Sequence, residues 1–163
     1  IGLPTILIQA LNDENEDARW KAKEYLHQHG ADMLPALTNA LVTSPDKLIR
    51  HAVASVLFQI AARDDGAVAA LREALNDDKE VARCAARALI RIGAPSAMAV
   101  QILAEAIRDK SAAADRLECI WALRDAGALA RVAIPALKEA CQDADSYLRT
   151  EAAAALKGID PAV

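Results

Sequence analysis

Aromatic residues are scarce in this chain. Two tryptophans, two tyrosines and one phenylalanine make up 3% of 163 residues. Strand cores draw heavily on aromatic and β-branched side chains, so this scarcity points away from a sheet. Cysteine is scarce as well. Cys84, Cys119 and Cys141 are odd in number, far apart and never in a CxxC pair, which argues against a disulfide framework or a zinc ribbon. They read as free buried thiols, which suit a reducing compartment, and the cytoplasm is the expected location. No apolar run reaches the ~20 residues of a membrane span. No lysine- and arginine-rich run occurs, and the net charge is -4. A protein that grips a phosphate backbone ordinarily carries a basic patch, so neither nucleic acid nor a membrane is expected as a partner. A glycine-rich phosphate loop and a GxSxG nucleophile turn are missing too. The chain starts with Ile1 rather than Met, which leaves room for a removed signal peptide or a neighbouring domain.

What is abundant is alanine and leucine, which supply most of the 54% hydrophobic content. Small side chains of this kind let helices approach closely and suit stacked helices. The key stretch is 77–93, DDKEVARCAARALIRIG: an acidic turn, an alanine-rich amphipathic helix and a glycine. It recurs about every 33 residues, with its arginine at Arg19, Arg50, Arg83, Arg116 and Arg149. A period of this length is the mark of a solenoid in which each repeat packs on its neighbours. The spacing predicts one all-α domain over 1–163, an α-α superhelix of about five helical hairpins. The repeats fall at about 1–30, 31–61, 62–93, 94–127 and 128–163.

In chain order, residues 2–11 read as a first helix with Pro4 at its start, where a missing N–H costs nothing. Residues 12–16 turn, and 17–29 form a second helix that stops at Gly30. Residues 34–42 and 48–61 repeat the pair around a turn at 43–46. The third unit runs 66–93 after the polar joint Arg63-Asp64-Asp65. The fourth spans 95–127, with a turn at 109–113 that is one residue longer than its counterparts. The fifth opens at Ile134-Pro135-Ala136-Leu137 and turns at 142–145. Its last helix runs from Ser146 to about Lys157, ended by Gly158 and Pro161.

Counting from each arginine exposes a stripe. Three residues on lie Ala22, Val53, Ala86, Cys119 and Ala152; seven on lie Leu26, Leu57, Ile90, Leu123 and Leu156. Both positions share one helical face, which is the expected core. The acidic turn, early arginine, small residue, leucine and glycine stop together resemble the HEAT-repeat family, in the short bacterial form also seen in phycobilisome-lyase proteins. The pattern is kept best in 77–93 and partly in 13–30 and 143–158. The resemblance implies a right-handed solenoid whose second helices line a concave surface. It also implies a ladder in which turn acids and helix arginines link successive repeats. Asp13, Asp77 and Asp143 precede an arginine by six residues, Asp109 by seven, and Ser44 takes that place in the second repeat.

The case for chemistry is thin. The turn acids recur along a rod and do not converge as a carboxylate pair. HEAT-like deoxyhypusine hydroxylases bind iron through His-Glu pairs, but His27, His29 and His51 are followed by Gln28, Gly30 and Ala52. No metal and no cofactor is expected. A catalytic cysteine would require His51 to approach Cys84, its equivalent in the adjacent repeat.

The scarce aromatics are the better lead. Positions one, five and eight after each arginine cluster about 100° from it on a helical wheel, off the buried stripe. They include Trp20, His51, Cys84 and Leu117; Glu24, Ala88 and Trp121; and His27, Phe58, Arg91 and Arg124. Both tryptophans and the only phenylalanine belong to this set. Tryptophan and arginine dominate interface energetics. These residues either face the groove or pack between neighbouring second helices. The candidate partner surface is Trp20, Glu24, His27, His51, Phe58, Arg91, Leu117, Trp121 and Arg124, and an acidic or extended peptide is the expected ligand.

The first helix is apolar nearly all round at Ile1, Leu3, Ile6, Leu7 and Ile8. A terminal repeat should present a polar outer face. A preceding repeat, another domain or a second copy is expected to cover it. The reading is therefore a non-catalytic protein-binding scaffold. The resemblance also allows a bilin lyase or isomerase-like subunit holding a tetrapyrrole, with its propionates near Arg91 and Arg124. A HEAT-like DNA glycosylase is a third reading, disfavoured by the acidic charge. Irregular turns argue for a natural sequence rather than a consensus design.

Overall fold

A computed structural model describes residues 2–61, 63–110 and 113–161, and these are helical with no strand among them. The helices are α1 (Leu3–Ala10), α2 (Glu16–Thr43), α3 (Lys47–Ile60), α4 (Asp65–Glu73), α5 (Lys79–Arg91), α6 (Ala97–Arg108), α7 (Ala113–Ala126), α8 (Ile134–Ala140) and α9 (Ser146–Ile159). A 3₁₀ turn, Ala74–Asn76, extends α4, and a longer 3₁₀ segment, Gly127–Ala133, joins α7 to α8. The second helices pack in series, α2 on α3, α3 on α5, α5 on α7 and α7 on α9. Behind them α1, the C-terminal half of α2, α4, α6 and α8 form the other layer.

Local chemistry sets the starts and stops. Asn15, Asp46, Asp64, Ser96 and Asp145 each accept a backbone N–H at the head of a helix, which satisfies donors that the helix cannot. Gly93 and Gly127 take φ of +75° and +56° after α5 and α7, a left-handed conformation that glycine adopts without a Cβ penalty. Every residue of the predicted stripe is buried, from Ala22 and Leu26 to Ala152 and Leu156. The core is one continuous cluster that runs through all the helices.

Two helix stops are wrong in the sequence reading. The second helix does not stop at Gly30, because α2 continues through it to Thr43 and is 28 residues long in all. The apolar stripe explains this. Leu26, Gly30, Leu37 and Leu41 are buried, with Met33 and Leu34 half-buried between them, so the i, i+3, i+4 phase never breaks. Gly30 is there for closeness: a Cβ on it would meet Ile60 Cγ1 at 2.6 Å. Pro35 lies inside the helix and removes one N–H donor. At the other end α9 passes Gly158 to bury Ile159. Residues 111 and 112 of the longer turn lie outside the described residues.

The expected ladder is present with a gap. Arg50 donates from Nε and Nη2 to Asp77 at 2.6 and 2.7 Å, while its Nη1 holds the Ser44 carbonyl of its own turn at 2.8 Å. Arg116, buried to 6% exposure, donates to Asp143 at 2.7 Å and to the Ile107 carbonyl at 2.6 Å. Arg83 lies 3.9 Å from Asp109 and 3.4 Å from Asp115. Both Asp77 and Asp143 are held below the ordinary carboxylate range, chiefly by these arginine hydrogen bonds. Arg19 breaks the series, because Ser44 offers no carboxylate. Among the described residues its Nη1 donates to the Asp13 and Glu14 carbonyls of its own turn, and the first two units are tied instead by Asn12 donating to Asp46 at 3.0 Å.

Candidate partner-binding face

The second helices carry all nine candidate residues, but in different settings. Trp20 stands 63% exposed on α2, with Glu24 and His27 exposed a turn and two turns on. His51 is exposed and Phe58 half-buried on α3. On α5 Arg91 is exposed; on α7 Leu117 and Trp121 are half-buried and Arg124 is exposed. The same wheel positions are buried at Cys84 and Ala88. There the alternative of packing between neighbouring second helices holds, because α5 is flanked by α3 and α7.

Four of the nine line one cleft of about 360 Å³: Phe58, Arg91, Trp121 and Arg124. Trp20, Glu24 and His27 line a shallower recess of about 380 Å³, and Arg91 forms its far wall too. His51 sits apart, in a crevice with Cys84 and Cys119, and Leu117 lines none of the three.

Sequence reasoning missed Arg87 and Glu118, which also line the cleft. Arg87 sits four residues after Arg83, where other repeats carry Lys23, Ala54, Ile120 and Ala153, so only its departure from that set could have marked it. The Phe58 ring lies under two guanidinium groups, those of Arg87 at 4.8 Å and Arg91 at 4.7 Å from its centroid. Such contacts contribute about 0.5–2 kcal/mol each and orient the cations. Arg87 is then neutralised by an ion pair with Glu118. Trp121 donates its indole N–H to Glu151 at 2.7 Å, and Arg124 reaches the same carboxylate at 3.4 Å. Among the described residues Arg91 makes no ion pair. Phe58 and Trp121 are therefore both interhelical packing and cleft wall, whereas Trp20 is surface.

Comparison with known proteins agrees with this architecture. The family pattern described as HEAT repeats matches residues 4–83, 34–124 and 76–157. The chain belongs to the HEAT-repeat family. Among solved structures, a chain from the complex of CpcE and CpcF of phycocyanin lyase from Nostoc sp. PCC7120 is 20% identical, with a TM-score of 0.64 over 99% of this chain. The match spans 66% of that chain's length. Two engineered proteins follow, each 22% identical over 98% of this chain, with TM-scores of 0.60 and 0.57. At these identities the likeness shows the fold alone. No curated protein matches the sequence.

The HEAT repeats do bring His51 and Cys84 to one crevice, lined also by Arg83, Arg87, Glu80 and Asp115. Its electrostatics oppose nucleophilic use. Burial pushes the Cys84 thiol up to about 11 and Cys119 to about 12, whereas a reactive cysteine needs a depressed value. Burial lowers the His51 imidazole, against the pull of Glu80 and Asp115. No group of three or more His, Cys, Asp or Glu among the described residues is placed to hold a metal ion. None of the described helices is long and apolar enough to cross a membrane.

Proposed function

We propose that this HEAT-repeat protein is a non-catalytic scaffold that holds an extended acidic segment of a protein partner along its second-helix face. The observation that carries this is Arg91. Its guanidinium is oriented by Phe58, exposed, without an ion pair among the described residues, and shared by the two recesses. A peptide crossing from the Trp20 recess to the Trp121 cleft would place an acidic side chain on Arg91 and an apolar one against each tryptophan. The cation is oriented in advance, so little ordering entropy is lost on binding. The free thiols at Cys84, Cys119 and Cys141 suit a cytoplasmic setting.

One observation favours a second reading, the likeness to a chain of the phycocyanin lyase complex. On that reading the cleft takes a tetrapyrrole, with propionates on Arg91 and Arg124. The paired state of Arg87 and Arg124 leaves little free positive charge for a nucleic-acid backbone, so the glycosylase reading is not carried further.

Tryptophan fluorescence separates these readings. Extended peptides alternating Glu and Leu are titrated beside Lys-for-Glu counterparts, a linear tetrapyrrole and a DNA duplex. The scaffold reading expects saturable binding of the acidic peptide alone, weakened about tenfold or more by Arg91→Glu. Tetrapyrrole binding with an absorbance shift would move the assignment to the lyase-like subunit. Equal binding of acidic and basic peptides, or none, refutes the proposed site.

A further inference from the structure

Three successive second helices carry a cation at one shared position. Arg91, Arg124 and Lys157 each lie eight residues after a ladder arginine, in the last turns of α5, α7 and α9. These helices pack directly in that order, and all three side chains are exposed. Arg91 and Arg124 stay exposed although a repeat packs on either side of them, so the position faces the open side of the layer whatever lies next to it. A cation also suits the negative end of a helix dipole, but that role asks neither for exposure nor for one shared position. Arg91 and Lys157 make no ion pair among the described residues, and Arg124 meets Glu151 at 3.4 Å.

The interval of this row selects a conformation. Packed helices lie about 8–10 Å apart, axis to axis, and the cations repeat with the helices. A β-strand returns a side chain to one side about every 7 Å, out of step with the row. A polyproline II segment has three residues per turn and rises about 3.1 Å per residue, so every third side chain returns to one side after about 9 Å. Such segments dock in aromatic-lined grooves because they are ordered before binding. Phe58 and Trp121 wall the cleft that Arg91 and Arg124 share. The same wall sets Arg87, Arg91 and Arg124 against Glu118 and Asp125. This small positive excess suits spaced carboxylates better than a phosphate backbone charged at every unit.

We propose that the segment bound on this face is a polyproline II stretch with a carboxylate at every third residue, meeting Arg91, Arg124 and Lys157 in turn. It rests on the acidic-segment reading and adds a conformation and a register to it. The residues between the carboxylates include apolar ones, set against Phe58 and Trp121.

Fluorescence anisotropy with two labelled peptides of identical composition tests it. One repeats Glu-Leu-Pro; the other holds the same residues with its glutamates side by side. The first should bind about tenfold tighter, and Lys157→Glu should weaken it about tenfold, with circular dichroism confirming an unchanged fold. Lys157 lines neither recess, so a ligand confined to Arg91 would not respond. Equal or tighter binding of the second peptide, with both weakened by Arg91→Glu, overturns the register and leaves the acidic-segment reading in place. Indifference of the first peptide to Lys157→Glu overturns the row in the same way. Binding of neither peptide removes both readings, as does tighter binding of a single-stranded oligonucleotide.

Discussion

Substituting Gly30 by alanine tests the packing of α2 against α3. In an open helix interior this change stabilises by about 0.8–1 kcal/mol, because alanine has the better helix propensity. Here the added methyl would meet Ile60 Cγ1 at 2.6 Å, with Cδ1 nearer still. Ile60 is half-buried and belongs to the core margin. It must leave its rotamer or push the helices apart, and overpacking of this kind costs about 1–3 kcal/mol. The clash outweighs the propensity gain, and Gly30→Ala should destabilise by about 1 kcal/mol net. Truncating the neighbour reverses the sign. In an Ile60→Ala background the space is open, and Gly30→Ala should stabilise by about 1 kcal/mol. The coupling between the two sites is then about 2 kcal/mol, within the range for residues in contact. Urea unfolding followed by helical circular dichroism, run on all four proteins of the cycle, measures it. A stabilising Gly30→Ala in the wild-type background would refute the close approach, as would a coupling near zero. Either result would make Gly30 an ordinary interior position of α2.

Leu123 is fully buried, so Leu123→Ala should cost about 2–5 kcal/mol in the same assay, whereas Leu129→Ala, at a residue 67% exposed, should change stability by under about 0.5 kcal/mol. The Asp77 carboxyl is held below its ordinary value by Arg50. Its stabilising share is present above the unfolded value near 3.8 and is lost as pH falls through the lower folded value. Arg50→Met should therefore flatten the loss of stability between neutral and acid pH, and an unchanged slope would contradict the pairing. With thiols at about 11 and 12, Cys84 and Cys119 should resist alkylation of the folded protein at pH 8 and react once urea unfolds it. Cys141 is only half-buried and should label first; labelling of Cys84 as fast as Cys141 in the native state would refute the burial.

The repeat and its buried stripe were legible in the amino-acid order. They depend on residues three to seven apart, and a helix brings such residues together whatever it packs on. Ala22, Leu26 and their equivalents were thus identifiable as core by counting from each arginine. The ladder was an implication of the resemblance to HEAT repeats, and spacing supplied only its candidate acids and arginines. Even its missing rung was signalled by Ser44 in place of an aspartate. Gly30 misled because glycine serves two purposes, ending helices and letting them touch, and the choice depends on where Ile60 lies thirty residues away. The unbroken phase from Leu26 to Leu41 carried the correct answer.

The binding face was legible only as a set of positions. Only the packing of α3, α5 and α7 decided that Phe58 lies beneath Arg87 and Arg91, or that Trp121 is tied to Glu151. It also decided that Arg91 makes no ion pair among the described residues. These are relations between repeats. They depend on how far one helix is displaced and rotated against the next, a quantity that short-range periodicity does not contain and that close packing of small side chains determines.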